Sequence, residues 1–322
     1  MKKLIGFGLR AVIGIAATGF CCGSAYANNV GATVEGALLV VAGDNVANQV
    51  TIARSATGDV TVSGQNGTLI NGRASVRFAR LQLNATEIRM GGGNDVVTLR
   101  GLQIANDLYV DLGEGADRLT APAASPVIVG GNVAIEGGAG NDTVRTESMM
   151  VGLDYCVDGG LGVLNATAIQ TVIGFNVTVM GDEANDLVTL TSVAAGGDVL
   201  IETKGGSDRV TLTTVSALLL GVNTDANAIA GADRVSLDGI VTVEDVGIFT
   251  GPGNDVVQML NVQSGKNLTV SADSGNDRVS GAGVEVALDA VFEGGAGTDT
   301  FEDFGITGGV KKDVKEFEVF LP

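Results

Sequence analysis

Nine aspartates recur at a nearly fixed interval, and theirs is the only residue type and spacing in this chain that repeats as chemistry would require. Asp95, Asp117, Asp142, Asp186, Asp208, Asp233, Asp255, Asp277 and Asp299 follow one another at 22 or 25 residues, with a single gap of 44. Each closes a glycine loop. Glycine stands two residues before the aspartate in eight of the nine copies, Ala184 being the exception, and Gly91, Gly113, Gly138, Gly251 and Gly295 add a second glycine two residues earlier. Loops of this composition reach φ > 0 and stack closely. Their carbonyls, turned inward beside a carboxylate, would make an all-oxygen site that suits Ca²⁺ rather than zinc or copper. The same residues admit a second role, as structural corners in which aspartates accept hydrogen bonds from loop amides and neighbouring asparagines stack.

Other chemistry has little to work with. The chain has no His and no Trp, so histidine acid–base or nucleophilic catalysis is absent. Only Tyr109 and Tyr155 follow residue 27 as tyrosines, too few for the aromatic platforms of a sugar-cleaving cleft. Asp182 and Glu183 form a carboxylate pair, but among 37 acidic residues such a pair is expected on any solvated face. Arg100, Arg145 and Lys204 are scattered. The expectation is a protein that is not an enzyme, with a polysaccharide-active β-helix enzyme the least supported class.

The elements that must position these loops also repeat. An apolar segment follows the aspartate (Val97/Leu99, Val188/Leu190, Val210/Leu212, Val235/Leu237), and a second lies in mid-period (Leu108/Val110, Val133/Ile135, Val177/Val179, Val199/Ile201, Leu268/Val270). Both alternate with period two, as strands do. The 44-residue gap is two periods with Leu164 in the aspartate position, and a decayed copy lies at residues 47–52. Strands recurring every 22 residues bury their side chains in register when each pairs with its equivalent in the next turn, ~4.8 Å away. This predicts an all-β fold, a parallel β-helix or β-roll-like solenoid of about twelve turns over residues 47–303. Residues 28–46 would cap it at the N-terminal end and residues 304–322, with Phe317 and Phe320, at the other.

The loop reading GGAGNDTVR (137–145) matches the pattern G-G-x-G-x-D-x-U-x, and GGAGTDTF (294–301) and GPGNDVV (251–257) approach it. In these residues the chain resembles the hemolysin-type (RTX) calcium-binding repeat family. The resemblance implies calcium held between successive turns by the glycine loop and the aspartate. It carries over best to Asp95, Asp117, Asp142, Asp208, Asp255, Asp277 and Asp299, and less closely to Asp186 and Asp233. One motif per 22 residues would place the calcium column along a single edge.

Residues 1–27 have the parts of a secretory signal peptide: Lys2, Lys3 and Arg10, the apolar run 11–20, and Ala25-Tyr26-Ala27 before the expected cleavage point. The apolar run is shorter than the ~20 residues of a spanning helix, and Phe20 spoils a lipobox ahead of Cys21. The expected product is secreted, extracellular or cell-surface, with no transmembrane segment. Beyond the leader, Cys156 is the one remaining cysteine, expected as a small buried side chain. All 37 acidic residues lie beyond residue 27, so a surface of this charge repels nucleic acid, anionic polysaccharide and anionic lipid and attracts divalent cations. The expected partners are calcium ions and cell-surface or matrix components. An extracellular structural protein and an adhesin are the two leading classes.

Overall fold

The computed structural model describes residues 28–224, 230–309 and 311–321; the leader expected at 1–27 lies outside them. Every regular element among the described residues is a β-strand. Strands that follow each aspartate pair in parallel, so that Val97, Leu119, Val144, Ala166, Val188, Val210, Val235, Val257, Val279 and Phe301 form one continuous column. The mid-period strands make a second wall, with Leu108, Val133, Tyr155, Val177, Val199, Leu220, Val246, Leu268 and Ala290 stacked in register. The fold is a parallel β-solenoid.

Each turn has a third straight segment that the apolar pattern did not announce. It appears as the short strands Gln103–Ile104, Ile128–Val129, Met150–Val151 and Val172–Ile173, then as the second half of nine-residue strands from Leu187–Ala195 onward. A residue in the left-handed region bends the chain between the first and third walls: Gly101, Ser148 (φ 52°), Gln170 (51°), Ser192 (54°), Thr214 (54°), Gly239, Asn261 (52°), Gly283 and Gly305. Side chains pay a steric penalty there. Four of these nine positions are therefore glycine, and Thr214, being β-branched, is the most strained.

About ten complete turns run from the strand Ala85–Arg89 to the strand Thr300–Gly308. Incomplete levels at each end bring the count to the twelve expected. At the N-terminal end, Gln49–Arg54 lies parallel to Val96–Arg100, where the decayed copy at 47–52 places it. The chain then leaves the repeat in an antiparallel excursion through Val60–Gln65 and Ser75–Phe78. Antiparallel pairing of Asn29–Glu35 with Leu38–Ala42 closes the other wall. At the C-terminal end, Lys311–Lys315 and Val319–Leu321 continue the two parallel ladders. Phe292, Phe317 and Phe320 surround Phe301, with ring centroids 5.0, 5.3 and 6.3 Å away.

The inward columns are dry. Val97, Val144, Val188, Val210, Val235, Val257 and Val279 are all buried, whereas Thr98, Thr189 and Thr211 are half-exposed. Val210→Asp is expected to destabilise the chain by on the order of 4 kcal/mol or more, because an unpaired charge enters a core with no counter-ion. Thr211→Asp, one residue on, is expected to change stability by less than ~1 kcal/mol. Urea melts of the two variants check this register, which equal losses would contradict.

Candidate functional site

The nine aspartates come together as one column, and the column is inside. All nine are buried. Each Oδ1 accepts the backbone N–H of the equivalent residue one turn earlier: Asn48 to Asp95, Asp95 to Asp117, Asp117 to Asp142, Leu164 to Asp186, and so on to Asp277 on Asp299, at 2.6–2.9 Å. The amide of Asp299 ends the series on Glu318 Oε2 at 2.7 Å. The aspartates thus serve the backbone, each satisfying a buried donor that the turn leaves out of the ladders. Where Leu164 interrupts the column, the amide of Asp142 turns to the carbonyl of Val163 at 2.8 Å.

The second carboxylate oxygen faces the core. The residues stacked opposite the aspartates, five positions earlier in most turns, include Met90, Leu112 and Ala272, the hydroxyls of Thr203, Thr224 and Thr250, and Gly137, Gly181 and Gly294. Oδ2 of Asp95, Asp117, Asp142, Asp277 and Asp299 is buried without a hydrogen-bond partner. Burial is the main reason these carboxyls titrate high. Asp95, Asp208 and Asp255 are pushed up to about 7, and Asp142, Asp186 and Asp277 to about 6; the amide hydrogen bonds offset part of the effect, and like charges in the column add to it in most cases.

The carboxylates act here as acceptors for the backbone. One oxygen of each carboxylate is committed to an amide; the other lies beside apolar side chains, threonine hydroxyls or the glycines Gly137, Gly181 and Gly294, and in Asp186 it also accepts the Asp182 amide at 3.1 Å. Some loop carbonyls are committed as well. Gly91, Gly113 and Gly138 accept the amides of Glu114, Ala139 and Leu161 in the next turn, at 2.6–2.8 Å. Successive loops touch: a Cβ on Gly115, Gly140, Gly253 or Gly275 would overlap the carbonyl of the glycine one turn before. That contact is why glycine recurs two residues before the aspartate. Among the described residues, no group of three His, Cys, Asp or Glu side chains is arranged to hold a metal ion.

Asparagines one position before the aspartates extend the same device. Asn94, Asn141, Asn185, Asn254 and Asn276 each accept the amide of the next turn through Oδ1, at 2.6–3.2 Å. A further ladder, at the corner entering the mid-period strand, escaped sequence reasoning. Asp107, Asn132, Asp154, Asn176 and Asp198 alternate up one edge, and Asp245, Asn267 and Asp289 resume it after Leu219. Each amide N–H donates to Oδ1 of the residue one turn before, and each asparagine Nδ2 donates to the aspartate below it at 2.9–3.0 Å. The signal was present as an Asp or Asn just before these mid-period strands, at 22- and 25-residue spacing except for the 47 residues from Asp198 to Asp245 that span Leu219. Cys156 is buried, and its thiol is pushed up to about 12, mainly by burial.

No known protein family, characterised protein or solved structure matches this chain. The likeness to hemolysin-type repeats therefore rests on the loop motif alone. No helix among the described residues is long and apolar enough to cross a membrane.

Seven carboxyls of the column (Asp95, Asp117, Asp142, Asp186, Asp208, Asp255 and Asp277) titrate higher in the folded chain than the ~3.9 of an unfolded aspartate. Their protonation therefore favours folding: the contribution is complete below about pH 4 and is lost as pH rises through 6 to 7. Thermal melts are expected to show higher stability at pH 5 than at pH 8. Asp277→Asn, which keeps the Oδ1 acceptor without the charge, should flatten that slope and melt higher than wild type at pH 8. Asp277→Ala, which strands the amide of Asp255, should melt lower by ~1–3 kcal/mol in stability. Equal melting of the two variants would remove the acceptor role.

Proposed function

We propose that this chain is a secreted or cell-surface structural repeat protein, a rod whose turns are joined at their corners by side-chain-to-backbone hydrogen bonds. One observation carries the reading: each column aspartate presents Oδ1 to the amide of the preceding turn. Secretion rests on the leader-like residues 1–27. Hydrogen bonds between adjoining turns support this reading: the column amides donate to Oδ1, and the carbonyls of Gly91, Gly113 and Gly138 accept amides of the next turn.

Calcium titration separates this from the calcium-bearing reading that the loop motif implies. In the structural reading, the melting temperature at pH 7.5 stays within about a degree between 5 mM chelator and 5 mM CaCl₂. Calcium that bound only the folded state at a hundredfold excess over its dissociation constant would add ~2.7 kcal/mol, a shift too large to miss. A rise of that size, abolished by Asp277→Asn, would restore calcium as the partner.

An adhesin is the second reading, and one observation favours it. Ile128, Met150 and Val172 stack in register on the outer surface, all exposed, and Leu153 and Phe175 make a second exposed apolar pair in consecutive turns. Exposed apolar columns of this kind mark contact surfaces. Met150→Glu is expected to leave melting unchanged and to abolish attachment of the protein to cells or matrix. Retained attachment would dismiss this face.

A further inference from the structure

The charge of the rod is not uniform. The chain carries −18 overall, yet residues 54–103 hold six arginines against three carboxylates, and one of those, Asp95, is buried in the corner column. Arg77 pairs with Asp59 and Arg89 with Glu87. Among the described residues, no carboxylate lies within ion-pair distance of Arg54, Arg73, Arg80 or Arg100.

Two of these arginines line an open cleft of about 520 Å³, formed where the antiparallel excursion leaves the first wall and returns to it. Arg54 ends the strand Gln49–Arg54, and its Nη1 donates to the carbonyl of Leu81 at 2.8 Å, which fixes the guanidinium and leaves its other nitrogens to donate outward. Arg80 has φ 48°, and its amide donates to Asp59 Oδ1 at 2.8 Å. Asp59 does not neutralise the cleft. Its Oδ2 is taken by Arg77 and by the hydroxyl of Thr57, and the Arg80 amide and Arg77 hold its carboxyl down to about 2. Beside Ala56, Gly58 and Gly101, the remaining lining is polar: the hydroxyls of Ser55 and Thr57, which share a 2.8 Å hydrogen bond, and the carboxamides of Gln82 and Gln103.

We propose that this cleft binds an anionic sugar unit, its carboxylate or sulfate held between Arg54 and Arg80 and its hydroxyls by Ser55, Thr57, Gln82 and Gln103. Guanidinium forks match carboxylate and sulfate oxygens in geometry as well as charge. The carboxamides both donate and accept, as a polyol requires, while the Ser55 and Thr57 hydroxyls, whose protons are committed to Thr57 and Asp59, can accept. No aromatic side chain lines the cleft, so neither a nucleobase nor a sugar ring would stack there, and recognition rests on the guanidinium and polar groups. The acidity of the rest of the rod does not forbid this. Turns are ~4.8 Å apart and the Debye length is ~8 Å at physiological salt, so carboxylates more than about two turns away are largely screened.

Isothermal titration of the full chain at 0.15 M NaCl tests the proposal with four probes: an oligogalacturonate trisaccharide, a sulfated oligosaccharide, a neutral oligosaccharide of equal length, and inorganic sulfate. At least one anionic oligosaccharide is expected to bind, at least tenfold more tightly than the neutral sugar or inorganic sulfate, and which one binds identifies the acid group. Arg80→Gln and Gln103→Ala should each weaken that binding, the arginine change at least tenfold, with melting unchanged. Arg118→Gln, outside the cleft, should not. Arg54→Gln is less diagnostic because Arg54 also holds the Leu81 carbonyl. No binding by either anionic sugar, equal binding of the neutral sugar or of sulfate alone, or equal loss in Arg118→Gln would each overturn it.

Discussion

Parallel, in-register stacking places every residue about 4.8 Å from its own equivalent in the adjoining turn, and the rest of this molecule follows from that repetition of like upon like. Stacked valines and leucines gain, because identical apolar side chains fill a continuous dry column. Stacked glycines allow the carbonyl of one loop to touch the next. Stacked carboxylates lose, through mutual repulsion and through burial, and so any acidic column needs an answer built into its geometry.

The two acidic corners answer differently. In the buried column, each aspartate takes an amide from the turn before, and the energetic conflict is settled by carboxyls that hold protons more readily than usual. At the accessible corner, the sequence alternates Asp107, Asn132, Asp154, Asn176 and Asp198, so that a neutral amide separates the charges and its Nδ2 bonds to the carboxylate below. The hydrogen bonds of the two corners run in opposite senses along the rod. Leu164, the one break in the buried column, is tolerated because a backbone carbonyl, that of Val163, takes over as acceptor.

The interruption of the repeat near residues 55–82 changes the surface as well as the chain path. Stacking is lost there, so side chains no longer sit over their own kind, and unlike residues gather around one opening. Arginine is concentrated at this end of an otherwise acidic rod. A regular solenoid face offers long, uniform columns, whereas an irregular end can assemble a concave group of mixed chemistry.

Periodicity alone determined the all-β solenoid, the inward valine column, the place of the decayed copy at 47–52 and the interruption at Leu164. A 22-residue recurrence of period-two strands has one economical way to bury its apolar residues, and that way is independent of tertiary detail. The third wall was not legible, because its strands contribute only two or three residues per turn and its bend uses Gly101, Ser148, Gln170 and Thr214 alike. The alternating Asp/Asn corner was spaced plainly enough but did not resemble a metal motif. What only the tertiary structure showed is that the nine aspartates accept backbone amides through Oδ1. A glycine loop and an aspartate are compatible with calcium or with a backbone acceptor, and the choice depends on which way Oδ1 and Oδ2 point. That direction is set by the offset between adjacent turns, which brings an unpaired amide to one oxygen and the core to the other.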